Sequence, residues 1–164
     1  MAGAGGAGGA GGGGAEWFAA AGGPEGGRGL RFECTRCGNC CTGPPGVVMV
    51  SDQEARAIAA RLGLSVERFS AAYTRAARGG RSLSEVESAA GFDCVFLRRE
   101  AGSGRALCAI YEDRPGQCRT WPFWPSVVGT RQAWESAGRR CPGMGRGQLV
   151  PVERVRVLRD AVEI

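Results

Sequence analysis

The chain has 164 residues, 43% of them apolar and 23% charged, with a formal charge of +5, eight cysteines and no histidine. That length suits one modest domain. Without His the chain can build no Ser–His or Cys–His catalytic pair, no Cys₂His₂ finger and no Rieske-type centre, so a metal would have to be held by sulfur, carboxylate, backbone or water.

All 21 basic residues are arginines. The formal charge treats every thiol as neutral. If all the cysteines bound as thiolates around two dications, the balance would fall to roughly +1, because metal ligation takes deprotonated sulfur. The basicity is therefore poor support for a nucleic-acid partner, and no base-stacking or groove-reading motif accompanies it.

In chain order, residues 1–30 are mostly Gly and Ala. Such a segment buries too little apolar surface to offset the entropy of ordering it, so a disordered tail is expected over 1–30 and a metal-binding domain over 31–164. The start is neither basic nor followed by a long apolar run, as a secretory signal would be, and Trp17–Ala21 is too short to span a bilayer. An intracellular protein with no membrane partner is the expectation. Gly43-Pro44-Pro45-Gly46 predicts a tight turn and Val47–Val50 a short buried strand. Ser51-Asp52-Gln53-Glu54 is a capping box opening a helix with Ala55, Ile58, Ala59 and Leu62 on one face, stopped by Gly63. Ser65 opens a second helix carrying Val66, Phe69, Ala72 and Tyr73, expected to end near Gly79-Gly80, and 81–91 reads as loop. Cys94–Leu97 and Ala106–Tyr111 predict paired strands joined through Gly102-Ser103-Gly104. A helical turn follows Arg114-Pro115, then an aromatic stretch over Trp121–Pro125, a Gly-rich loop after Cys141, and a last helix over Pro151–Ile164 with Val152, Val155, Leu158 and Val162 inward. The fold class is α+β: a small metal-centred domain of short antiparallel strands, two or three helices and extensive loops.

The cysteines carry the chemistry. Cys34-x₂-Cys37-x₂-Cys40-Cys41 is followed by single cysteines at Cys94, Cys108, Cys118 and Cys141. Two cysteines separated by two residues can turn both sulfurs onto one ion, which makes this step a common half-site of zinc and iron–sulfur centres. Adjacent side chains tend to diverge, so Cys40 and Cys41 are easier to place on different metals or different corners of a cluster. Eight thiols also divide arithmetically into two four-ligand sites. A disulfide framework is the competing reading of an even count, disfavoured because no secretory signal is expected and the chain is long for such a scaffold. Buried core thiols could account for Cys94 or Cys108 but not for four cysteines within eight residues. Soft thiolate ligation suits zinc, copper(I) or iron–sulfur. The ligand set expected is all eight cysteines, and the cofactor zinc or an iron–sulfur cluster.

The ordered set of this run, Cys94-Val95-Phe96-Leu97, Cys108 through Arg114-Pro115, Cys118-Arg119-Thr120-Trp121-Pro122 and Cys141-Pro142-Gly143 resembles the CxxCxxCC cysteine-cluster family, also called YkgJ-like, over about residues 31–145. The resemblance implies a zinc- or iron-chelating domain. It also brings two enzymatic alternatives, an iron–sulfur oxidoreductase and a module related to flagellin lysine N-methylases, although no Gly-rich turn after a strand is in place to cradle S-adenosylmethionine. A metal carrier is a third alternative. The family's distribution implies the cytoplasm, or the plastid in a photosynthetic eukaryote. Arg114 and Arg119 flank Cys118, where guanidinium groups would offset thiolate charge. Glu112-Asp113 could supply a general base or cap the following turn. Trp121–Trp124 could shield a metal from water or simply pack the core.

Overall fold

A computed structural model describes residues 16–21 and 27–161 of the chain. Most of the tail expected over 1–30 lies outside those residues. Glu16–Ala21, however, is packed, because Trp17 and Phe18 are too apolar to leave in water. Phe18 is 1% exposed, the Trp17 indole donates to the Val128 carbonyl at 2.7 Å, and Glu16 is ion-paired to Arg156 and Arg159 of the last helix. Strand β1 (Gly29–Phe32) follows and buries Leu30, and β2 is the short pair Thr42–Gly43.

Helix α1 (Asp52–Arg61) forms as its capping box predicts: Glu54 N–H donates to Ser51 Oγ at 3.2 Å and Ser51 N–H to Glu54 Oε2 at 2.8 Å. It buries Ala55, Ile58 and Ala59, and the chain leaves through Gly63 at φ +66°. Helix α2 (Val66–Tyr73), capped by Ser65, buries Phe69. It ends earlier than expected. Thr74–Ala77 (β3) instead pairs antiparallel with Gly80–Leu83 (β4) around Arg78 and Gly79, both at positive φ, the backbone that two-residue hairpin turns require. Pairing there brings Ser82 and Leu83 into the interior, which outweighs the helical preference of the alanines. Val47–Val50 makes only an isolated bridge, Met49 to Ser82, rather than a strand.

The stretch read as loop holds more strand: β5 (Glu85–Ser88) and β6 (Gly91–Cys94) form a hairpin, and β2 pairs with the other edge of β6. Strands β7 (Leu97–Arg99) and β8 (Ala106–Cys108) form an antiparallel pair, but the first is displaced from the expected Cys94–Leu97. Cys94 ends β6, Val95 and Phe96 turn the chain, and only Leu97 is shared, while the second stops at Cys108 and not Tyr111. After a 3₁₀ turn at Tyr111–Asp113 come α3 (Gly116–Thr120), α4 (Pro125–Val128) and α5 (Arg131–Gly138). The loop expected after Cys141 is largely strand β9 (Met144–Pro151), which pairs with β1 and runs into α6 (Val152–Asp160). Val152 and Val155 of α6 are buried as expected, and Val162 lies outside the described residues. The fold is α+β with more helices than expected, and among the described residues none is long and apolar enough to cross a membrane.

Two hydrophobic clusters organise these elements. One joins Phe18, β1 and α6 to α4 and α5 through Phe18, Leu30, Phe123, Val128, Trp134 and Val155. The other packs α1 and α2 against the central strands through Ile58, Phe69, Leu83, Phe96 and Ile110.

Candidate metal centre

The cysteine run has little regular structure, and backbone hydrogen bonds fix its course. The run turns on itself at Cys41 N–H to Gly38 carbonyl, 2.8 Å. From there it is tied to the neighbourhood of three single cysteines: Cys94 N–H donates to the Cys41 carbonyl (2.8 Å), Ala106 N–H beside Cys108 to the Arg36 carbonyl (2.8 Å), and Glu33 N–H to the Gly143 carbonyl (3.0 Å) next to Cys141. Gly143 permits that last approach, since a Cβ there would lie 2.0 Å from the Glu33 carbonyl oxygen. Cys118 arrives on α3, and two side chains position that helix. Glu54 accepts from Gly116 N–H at 2.6 Å while it caps α1. Gln117, 7% exposed, accepts from Met49 N–H (3.0 Å) and donates to the Val47 carbonyl (2.8 Å). Sequence reasoning missed Gln117. A polar side chain at a buried helical position is its signature, and burial was not legible there.

Six of the cysteines, Cys34, Cys40, Cys41, Cys94, Cys108 and Cys118, line one cavity of about 370 Å³. Its apolar wall draws on both clusters, with Leu83, Phe96 and Ile110 from one and Phe32 and Trp121 from the other. Cys37 and Cys141 lie beside the cavity, near enough to each other for their charges to interact, and Cys141 interacts likewise with Cys40. All eight thiols are free. Cys40 and Cys41 have their sulfurs 3.6 Å apart, within hydrogen-bonding reach. Cys34, Cys94, Cys108 and Cys118 are spread over the walls: among the described residues no three Cys, Asp or Glu side chains converge on one point as they would around a bound ion.

The electrostatics are those of thiols awaiting compensation. The hydrogen bond from Cys41 holds the Cys40 thiol down to about 7. The same bond raises Cys41, and burial and the neighbouring Cys94 and Cys118 raise it further. Burial pushes Cys118 up to about 12, with Cys94, Cys40 and Cys108 adding to the effect, and burial also raises Cys94, Cys108 and Cys141. The cavity lining holds three guanidinium groups, Arg36, Arg114 and Arg119, and no carboxylate. Two of its donors, Arg114 Nε and Trp121 Nε1, are buried without a hydrogen-bond partner. Many sulfurs, no carboxylate and spare positive or N–H donors suit a soft thiolate-bound metal and do not suit a hard oxygen-liganded cation. Of the paired carboxylates, Asp113 is ion-paired with Arg61 and Glu112 is exposed on the 3₁₀ turn. Arg119 donates to the Arg114 carbonyl at 2.6 Å and lies 3.8 Å from Glu54.

The sequence profile of the CxxCxxCC family, described as "Putative zinc- or iron-chelating domain", matches residues 33–142. No solved structure matches the chain.

Proposed function

The chain belongs to the CxxCxxCC family, and from that premise we propose that it is a metal-binding protein whose centre occupies the thiol-lined cavity. Cys40, Cys41, Cys94, Cys108 and Cys118 are the inner donors, and Cys34, Cys37 and Cys141 complete the set. The observation that carries this reading is the gathering of cysteines from four separate parts of the chain onto one cavity with no carboxylate in its lining. The Cys40–Cys41 separation of 3.6 Å supports it further. Two thiolates on one tetrahedral ion, each about 2.3 Å from the metal, stand about 3.8 Å apart. The vicinal pair therefore suits one edge of a single coordination tetrahedron, in contrast to the divergence expected from sequence.

Zinc bound there would supply a closed-shell cross-link, and an iron–sulfur centre would supply one-electron chemistry. The volume of about 370 Å³ is more than one ion needs and favours, as a second reading, the polynuclear iron–sulfur centre of an oxidoreductase. Metal analysis with an ultraviolet–visible spectrum on anaerobically purified protein tests both. Stoichiometric zinc without colour supports the first reading. Iron with acid-labile sulfide and a broad visible absorption supports the second. Protein that takes up neither metal, with all thiols reduced, overturns the proposal.

A further inference from the structure

Arg114 Nε and Trp121 Nε1 are the two side-chain nitrogen or oxygen atoms that lie buried without a hydrogen-bond partner among the described residues, and both belong to residues on the wall of the thiol cavity. A buried donor left unpaired is costly, so two in one place call for a stronger acceptor than a protonated thiol. The Trp121 indole N–H draws the Cys141 thiol downward against the burial that raises it, without reaching hydrogen-bond geometry, and Cys141 is 9% exposed. The ring is not free to turn away: Trp124 packs against it edge-on at 4.8 Å, and the Trp124 N–H is itself fixed to the Gln117 carbonyl at 2.8 Å. Arg114 is held in a similar way, its guanidinium 3.9 Å above the Tyr111 ring. From there its charge reaches Cys40, Cys108 and Cys118.

Resting on the metal-binding reading above, we propose that Trp121 and Arg114 are the outer donors of the centre: Trp121 N–H hydrogen-bonds the Cys141 thiolate once a metal deprotonates it, and Arg114 balances the charge of the thiolates across the cavity. Both are positioning residues, and neither is a ligand. A thiolate is a far better acceptor than a thiol, so the two orphaned donors find partners only in the metal-loaded protein. This gives Trp121 an unusual signature. Removing its N–H leaves the metal-free fold no less stable, since no bond is lost there, yet weakens the loaded state.

The test compares three tryptophan replacements: Trp121→Phe, Trp121 replaced by its benzothiophene isostere, which keeps the ring's size and lacks the donor, and Trp17→Phe, whose N–H serves the Val128 carbonyl. Zinc affinity is read by competition with a chromophoric chelator, the sulfur-to-metal charge-transfer band with cobalt(II), and metal-free stability by urea unfolding. The isostere is expected to lose roughly 10- to 100-fold in zinc affinity. Its charge-transfer band shifts to lower energy, because the sulfur lone pair loses a stabilising hydrogen bond, while its metal-free stability holds. Trp17→Phe is expected to do the reverse, losing stability and keeping both affinity and band position. Arg114→Gln weakens affinity more than Arg114→Lys, which keeps the charge. Wild-type protein that binds neither zinc nor cobalt overturns the metal reading and this one with it. Wild-type protein that binds while the isostere matches it in affinity and band position overturns this inference alone.

Discussion

Glu54 shows how one side chain can couple two parts of the site. It is half of the capping box of α1 and also the acceptor that receives the first N–H of α3, the helix carrying Cys118. Burial raises its carboxyl, but hydrogen bonds from the backbone N–H groups of Gly116 and Ser51 outweigh that and hold it below its ordinary value of 4.5. A depressed carboxylate adds stability that is complete above the unfolded value and is lost as pH falls through the folded one. Glu54→Gln should therefore lose about 2 kcal/mol at neutral pH, from a charged hydrogen bond and part of a cap. Its unfolding free energy should also depend less on pH below about 4.5 than the wild type's; urea titrations across that range check both. Gly91 gives a second prediction at this scale. It sits at φ +112°, and a Cβ there would lie 2.5 Å from the Gly43 carbonyl oxygen. Gly91→Ala should cost about 2–4 kcal/mol by strain and overlap. It should also weaken zinc uptake, because the Cys41–Cys94 hydrogen bond continues the β2–β6 pairing by one residue; a variant as stable as wild type would contradict this reading of the β2–β6 contact.

At the scale of elements, the local signals were the dependable ones. Ser51 and Ser65 cap the helices they were expected to cap, and Gly63 ends the first, because these interactions span only a few residues. Ser51→Ala should cost about 1 kcal/mol, detectable as a lower urea midpoint with unchanged slope. Elements that depend on a distant partner were misread. The segment β9 looks like loop because Gly145 and Gly147 interrupt it, and it becomes strand only through pairing with β1, more than a hundred residues earlier. In the hairpin of β3 and β4 the partner is near, but β3 has a helix-like composition, most of β4 reads as loop, and the pairing is decided by the interior that Ser82 and Leu83 enter. In both places tertiary pairing overrides local propensity.

For the molecule as a whole, the position of the cavity between the two hydrophobic clusters matters most. Its walls are shared by both, so a metal drawing in the thiols would bind the clusters to one another as well as filling its own site. Zinc at a hundredfold excess over its dissociation constant should raise the melting temperature by roughly 5–10 °C, and a chelator should reverse the gain. Hydrogen exchange should slow in both clusters, at Ile58 and Phe69 as well as at Val128 and Val155. Slowing in one cluster alone would mean the centre belongs to that half and joins nothing. By itself the sequence determined the α+β class, the Ser51 and Ser65 helix caps and the eight cysteines as candidate donors, since short-range spacing and residue chemistry suffice for those. It also carried the family resemblance, because that resides in ordered motifs. Only the tertiary structure decided that Trp17 and Phe18 belong to the core, that Gln117 and Glu54 position α3, and that Cys40 and Cys41 share a contact. It alone decided which thiols face one cavity and that two orphaned donors line the same wall. Apart from the Cys40–Cys41 contact, which is between neighbours in the chain, each of these depends on which distant segments pack together, and burial and long-range pairing have no signature in a stretch of sequence read alone.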